Sequence, residues 1–174
     1  MSRFGVGQMR TALDADPDML DEKEQRFVAK IREHGWFAIH VGADEEGPSF
    51  TYTTGFCLKF DHPELIVFSL PMQIALDTFW HLYRELDAGR RIPVGAPSSD
   101  IFMNAPAMLL PVSRRHYADH LGWSRWFYGG DRFECLQLIY TDRDGCFPWS
   151  PVASAQFRTA QPDLTESHWS GMAH

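Results

Sequence analysis

Cysteine is scarce in this chain, and no two cysteines form a Cys-x-x-Cys pair. The three that are present, Cys57, Cys135 and Cys146, are widely spaced. This spacing excludes a zinc knuckle and a thioredoxin-type pair, and an odd number does not build a disulfide framework. We therefore expect buried free thiols and a reducing cytoplasm. A redox link between Cys135 and Cys146 across a hairpin is the alternative.

Basic residues and long hydrophobic runs are also scarce. Lys and Arg number 16 against 23 Asp and Glu, which gives a formal net charge of −7. A nucleic-acid partner needs clustered basic side chains, and this chain has only the small clusters Arg90-Arg91 and Arg114-Arg115. No apolar run approaches the roughly 20 residues of a membrane-spanning helix, and no secretory signal is visible. We predict neither a nucleic-acid nor a membrane partner.

Signature motifs of the common enzyme classes are missing as well. The sequence contains no G-x-S-x-G elbow, no Walker loop and no dinucleotide fingerprint. We therefore predict no cofactor, and we assign no Ser, Cys or Asp nucleophile.

Aromatic side chains, in contrast, are abundant, with six Trp and 13 Phe. They predict a dense aromatic core, or an aromatic-lined pocket or interface. A chain of 174 residues is long enough for one globular domain with a real core. We predict an N-terminal arm at residues 1–18, a domain at 19–153 and a polar tail at 154–174. Trp169 is the residue that would anchor this tail.

Strands are predicted from runs of apolar, β-branched and aromatic residues. These runs are residues 36–41, 49–56, 64–70, 107–112 and 133–141. Short connections make the first three an antiparallel meander. A tight turn from Asp142 to Gly145 predicts a sixth, short partner at 146–149.

Helices are predicted between these strands. One follows Asp16-Pro17 and stops at Gly35, and a second runs from Pro71 to Gly89. A short helix is expected at 113–121, and aromatic loop structure at 123–130. The fold class is α+β: an antiparallel or mixed sheet of five to six strands with two to three helices packed against it.

Four blocks of the sequence resemble one known family. They read GWFAIHV, PSFTYTTGF, HPELIVFSLP and LQLIYTDRDGCFPW, and together they span residues 35–149. They are similar to the bacterial family catalogued as domain of unknown function 4262, with departures at Phe56 and Tyr140. The resemblance implies a soluble bacterial domain and implies no activity. The matching positions are Tyr52, Thr53, Gly55, His62, Pro63, Glu64, Leu65, Leu136, Gln137, Leu138, Asp142, Gly145, Phe147, Pro148 and Trp149.

Polar residues beside the second and third strands form the main candidate site. Tyr52 and Thr54 share one strand face and Thr53 lies on the other, next to a glycine that offers amides to a polar ligand. His62 and Glu64 point to the same face at a strand mouth, where they can act as acid and base or as part of a metal site. The structural alternative is cross-strand packing for the hydroxyls and a polar strand entry for His62 and Glu64.

Further candidates lie outside this group. His40, on the neighbouring strand, and Gln137, in the middle of a strand, complete the ligand-binding set. A buried amide such as that of Gln137 either ties strands together or faces a pocket. His116 and His120 have the i, i+4 spacing of two metal ligands, but no third ligand is placed, so no metal is predicted.

Two functions fit these patterns. We favour a ligand- or protein-binding module whose aromatic surface recognises a small polar ligand, a protein partner or a second copy. The alternative is a small hydrolase in which His62, Glu64 and Tyr52 converge on a pocket at the strand ends. The expected aromatic surface comprises Trp123, Trp126, Phe127, Tyr128 and Trp149.

Overall fold

The computed structural model describes residues 9–172 and shows a five-stranded mixed sheet in the order β1-β2-β3-β5-β4. The first three strands form the predicted antiparallel meander. β5 runs parallel to β3, and β4 pairs antiparallel with β5 at the far edge. The α+β fold is therefore confirmed. The strands are β1 (Phe37–Val41), β2 (Phe50–Thr54), β3 (Glu64–Phe68), β4 (Ala107–Pro111) and β5 (Cys135–Tyr140).

Six α-helices accompany the sheet among the described residues, against the two to three predicted. The additional helices are short, and short helices carry too few periodic positions for their pattern to stand out. None of the described helices is both long and apolar enough to cross a membrane. The helices are α1 (Glu22–His34), α2 (Phe56–Phe60), α3 (Met72–Asp87), α4 (Tyr117–His120), α5 (Gly122–Tyr128) and α6 (Ala155–Ala160).

Alternation along β3 divides the core into two clusters, one on each face of the sheet. Ile66 and Phe68 join the cluster that contains Phe27 and Ile31 of α1 and the aromatic side chains of α5. Leu65 and Val67 belong to the opposite cluster, with the buried face of α3. All five residues of β3 are buried, as its continuous apolar run predicts for a central strand.

The start of α1 differs from its prediction. Asp16 caps a separate 3₁₀ turn at Pro17–Met19, and the helix begins only at Glu22. Asp21 provides the cap in a reciprocal capping box with Glu24. The helix ends, as predicted, at Gly35, whose φ of 82° is readily adopted by glycine.

Three segments adopt structures that the sequence patterns did not predict. The expected aromatic loop is mostly helix α5, whose Trp123, Trp126 and Phe127 recur at helical spacing. Residues 146 and 147 are irregular and 148–149 lie in a turn, so no sixth strand follows β5 among the described residues. The segment after Ser154 contains helix α6, and Thr165 then pairs with Val112.

The two predicted ends of the domain are described only in part. Residues 1–8 of the predicted arm and 173–174 of the predicted tail lie outside the described residues. From Met9 onward the chain packs against the α1 side of the core, where Ala12 is buried. Trp169, the expected anchor of the tail, is buried and contacts Trp149.

Candidate functional site

Glu64 lies at the centre of a fully buried polar cluster between β2, β3 and α2. Its carboxylate accepts hydrogen bonds from the Thr53 hydroxyl at 2.6 Å and from the Tyr128 hydroxyl. It also accepts the backbone amides of Gly55 at 2.8 Å, Cys57 at 3.2 Å and Phe56 at 3.3 Å. These amides open helix α2, so Glu64 satisfies donors that have no partner within the helix. Burial raises the pKa of Glu64, while the hydroxyl and amide donors act against that rise.

The threonine hydroxyls of β2 also form hydrogen bonds within the protein. Thr53 Oγ1 also accepts the Leu65 amide at 2.9 Å, which joins β2 to the start of β3. The Thr54 and Ser124 hydroxyls lie 2.7 Å apart. Both threonines are completely buried. The structural alternative therefore describes these threonines better than a role in ligand binding.

Tyr52 and His62 bond different stretches of backbone. The Tyr52 hydroxyl accepts the Trp123 amide at 3.1 Å, and burial raises the pKa of Tyr52 to about 12. His62 Nδ1 bonds the Pro63 carbonyl at 2.7 Å, and burial lowers the pKa of His62, which favours the neutral imidazole. These contacts lend no support to the convergence that the hydrolase hypothesis requires.

Gln137 ties the C-terminal segment to the sheet. Its amide nitrogen donates to the Pro162 carbonyl at 2.6 Å, and its amide oxygen accepts the Leu164 amide at 3.1 Å. Gln161 repeats the pattern on the backbone of Tyr140, accepting its amide at 3.1 Å and donating to its carbonyl at 3.0 Å. Both glutamines are buried. Of the two roles considered for Gln137, the hydrogen bonds fit a structural one: the side chain connects β5 to the C-terminal segment.

His40 lies apart from the other candidates. Its side chain is exposed on β1 and bonds the Thr51 hydroxyl through Nδ1 at 2.8 Å. The two residues are direct neighbours in the β1–β2 register. This contact is an ordinary cross-strand pair.

The aromatic surface expected from the sequence is divided between core and surface. Phe127 and Tyr128 are buried, and Trp123 stacks on Phe27 of α1 with ring centroids 4.7 Å apart. Trp149 stacks on Phe147 at 4.7 Å. Trp123, Trp126 and Trp149 are half-buried, so only part of the predicted aromatic surface is accessible.

The structure shows instead a cleft of about 610 Å³ at the end of the sheet where β1 stops and β2 begins. Phe50 and Phe68 supply apolar lining, and the edge of the His120 ring packs on both, at centroid distances of 5.1 and 5.5 Å. Helix α4 and the C-terminal segment close the other sides. Ionisable side chains dominate the polar lining: Asp44, Glu46, Asp119, Asp163, His116 and His120.

The two imidazoles of the cleft are oriented by different neighbours. His120 Nδ1 contacts the His116 carbonyl at 3.2 Å, which leaves its Nε2 for other contacts. His116 Nε2 accepts from Arg115 Nε at 3.3 Å. Burial, together with the charges of Arg115 and His120, lowers the pKa of His116 and favours its neutral form. No group of three or more His, Cys, Asp or Glu within residues 9–172 is arranged to hold a metal ion.

The four carboxylates of the cleft are not equally occupied. Asp163 accepts the Thr165 and Trp169 amides at 2.9 and 2.7 Å. Asp44 accepts two amides of its own turn. Glu46 and Asp119 have no side-chain hydrogen bond or ion pair to another described residue. The cleft lining therefore carries more carboxylates than imidazoles.

Sequence reasoning identified only part of this cleft. The i, i+4 pair His116 and His120 was found as a candidate metal pair. Asp44 and Glu46 lie in a segment that the sequence predicts only as a connection between strands. Asp163 lies in the predicted polar tail. Only the folded chain brings the three segments together, so no local motif indicates the set.

Comparison with known proteins agrees with the resemblance seen in the sequence. Residues 30–154 match the model of the family described as Domain of unknown function (DUF4262). No curated protein and no solved structure matches the chain. The matched region begins within α1 and ends before α6.

Proposed function

Since the chain belongs to the DUF4262 family, whose description assigns no reaction, we propose a function from the cleft: the domain is a binding module for a small organic cation. The observation that carries the proposal is the charge of the cleft lining. Four carboxylates face two imidazoles, and Glu46 and Asp119 make no side-chain hydrogen bond or ion pair to another described residue. A ligand with a primary amine or guanidinium group supplies the missing donors.

The shape and the apolar lining support the same ligand class. A volume of about 610 Å³ matches a small organic molecule better than a bare ion. Phe50 and Phe68 offer surface to the carbon skeleton of such a ligand, and aromatic rings also attract cations. The ligand is therefore an alkyl amine or guanidinium compound, with its charge at the carboxylates and its chain against the rings.

Calorimetry with spermidine, agmatine and, as an anionic comparison, glutamate tests the proposal. We expect the two cations to bind and glutamate not to bind. Asp119→Asn should weaken cation binding about threefold or more, which corresponds to ~0.7 kcal/mol. Asp77→Asn is the matched control, because Asp77 lies on α3 at the opposite face of the sheet and contacts Gln73. Binding that is equal in both variants, or absent with both cations, would contradict the proposal.

The pH dependence follows from the same groups. Burial and the charges of Arg115 and His120 lower the pKa of His116, so this imidazole gains positive charge only below the ordinary imidazole range. A positive charge on His116 repels a cationic ligand. Cation affinity should therefore decrease as the pH falls below about 6.5. A cation affinity that rises on acidification would contradict the proposal.

The location of the protein remains part of the proposal. Cys57, Cys135 and Cys146 are all free, which agrees with a reducing compartment. Burial raises the pKa of Cys57 to about 12, so this thiol stays protonated and unreactive. We propose a cytoplasmic location on this basis, and a bacterial origin from the family resemblance alone.

A further inference from the structure

The two edges of the sheet are protected to different degrees. At β4, Ser98 exchanges both backbone hydrogen bonds with Ala107, at 2.8 and 2.9 Å, and Gly95 donates to Leu109 at 2.9 Å. The strand also ends in a proline, Pro111, which cannot donate to a neighbouring strand. This edge is therefore covered by the chain itself.

The β1 edge has no such cover among residues 9–172. Its backbone pairs with β2 over five consecutive positions, and no hydrogen bond to another described segment is made on its outer side. The strand reads FAIHV, without lysine, proline or bulge. Uninterrupted edges of this kind are templates for pairing with another strand.

We propose that β1 pairs antiparallel with β1 of a second copy, about a two-fold axis at Ile39. This register joins two five-stranded sheets into one continuous sheet. Phe37 then lies opposite the partner's Val41, and Ala38 lies opposite the partner's His40. Since the two strands are in phase, the residues of β1 that pack toward α1, Phe37, Ile39 and Val41, stay on the same face in both copies.

Charge at the two ends of β1 favours a second copy in this orientation. Before the strand, the last turn of α1 carries Arg32, His34 and the acidic Glu33, and Lys59 lies against Gly35. Arg32 and Lys59 together outweigh the one carboxylate, so this end is net basic. After the strand come three consecutive acidic residues, at positions 44–46. Antiparallel pairing of two copies brings the basic end of one against the acidic end of the other, whereas parallel pairing opposes like charges. The strand is thus complementary to itself in charge as well as in register.

Sedimentation velocity over a range of protein concentrations tests the pairing. We expect a reversible species of twice the 20.0 kDa chain mass. His40→Lys places a charge at the edge without disturbing the buried side of β1, and it should shift the protein to monomer. Gln73→Lys, on the exposed surface of α3, is the matched control and should dimerise normally. Circular dichroism establishes that both variants are folded.

Charge reversal separates this edge from any other mode of association. Arg32→Glu should weaken the dimer at least about fivefold, and Arg32→Glu combined with Glu45→Arg, at an acidic position that does not line the cleft, should restore it. Cysteines introduced together at positions 38 and 40 should cross-link two chains through position 38 of one and position 40 of the other. A wild-type protein that stays monomeric, or a dimer that His40→Lys and Arg32→Glu leave unchanged, overturns the proposal. Asp119→Asn should dimerise normally, so the edge and the cleft are tested independently.

Discussion

At the scale of single residues, the most informative side chain is a carboxylate with no access to solvent. Glu64 accepts hydrogen bonds from five donor groups in one buried cluster, and three of these donors are backbone amides at the start of α2. From the sequence alone, His62, Pro63 and Glu64 at the start of a strand suggest an acid–base site. In the structure, Glu64 is better explained as the cap of α2, a helix that follows β2.

Glu64→Ala should therefore reduce the free energy of unfolding by about 3 kcal/mol or more, because several buried donors lose their acceptor together. Urea unfolding followed by circular dichroism measures the loss. Tyr128→Phe removes one of the donors and leaves the carboxylate with its other partners, so it should cost about 1 kcal/mol.

The control for this change is Glu46→Ala, which removes a carboxylate without a side-chain partner and should stay within about 0.5 kcal/mol of the wild type. If Glu64→Ala is as mild as Glu46→Ala, the buried hydrogen bonds of Glu64 do not stabilise the fold, and its role as the cap of α2 is wrong.

At the scale of secondary structure elements, the junction between β2 and α2 depends on close backbone packing. Gly55 has a φ of 119°, and a Cβ atom there would lie 2.5 Å from the Gly35 carbonyl oxygen and 2.8 Å from Trp36 Cα. Both contacts involve backbone, which cannot move aside as a flexible side chain can. The glycine therefore lets α1, β1 and α2 meet at one point.

Gly55→Ala should lower the free energy of unfolding by about 3 kcal/mol, since backbone strain and overlap add together. The matched variant is Gly145→Ala, where φ is 80° but no atom lies within 4 Å of the added methyl group. It should cost about 1 kcal/mol from conformation alone. Thermal unfolding of both variants measures the difference, and equal losses would show that the close approach has no energetic effect.

The secondary structure elements show which sequence patterns were sufficient to predict the fold. The strands and the helices α1 and α3 were predicted, because apolar periodicity over several turns or a continuous apolar run reflects burial directly. Helix α5 was missed because Gly129 and Gly130 follow its aromatic residues, and this composition favoured a loop. The prediction of a sixth strand was wrong, because the turn after β5 is followed by a second turn at Pro148.

The candidate site was harder to predict for a different reason. A polar residue type shows that hydrogen bonds will be made, but not whether the partner is a ligand or the protein's own backbone. Thr53 and Gln137 both bond backbone groups that are distant in sequence. The cleft residues come from three segments, the turn after β1, helix α4 and the C-terminal segment, and their proximity is a property of the fold alone.

At the scale of the whole molecule, the part of the chain after the family match is hydrogen-bonded to the sheet. The match ends at residue 154, yet Gln137, inside it, hydrogen bonds to Pro162 and Leu164 beyond it. Leu164 is buried in the α1-side cluster, and Asp163 and Leu164 also line the cleft. Stability and the cleft should therefore both depend on this segment.

A chain truncated after Ser154 tests this dependence. Removal of the segment leaves the buried amide of Gln137 and the backbone of Tyr140 without partners and exposes the surface that Leu164 covers. The sum of these effects should lower the free energy of unfolding by about 3–5 kcal/mol. Gln137→Leu in the full chain removes one part of the contact and should cost about 1–3 kcal/mol, because the Leu164 amide loses its acceptor. Truncation after residue 172 is the control and should leave stability unchanged. If the chain that ends at Ser154 unfolds at the same urea concentration as the full chain and still binds spermidine, the C-terminal segment is dispensable, and the cleft must be assigned to the turn after β1 and to α4 alone.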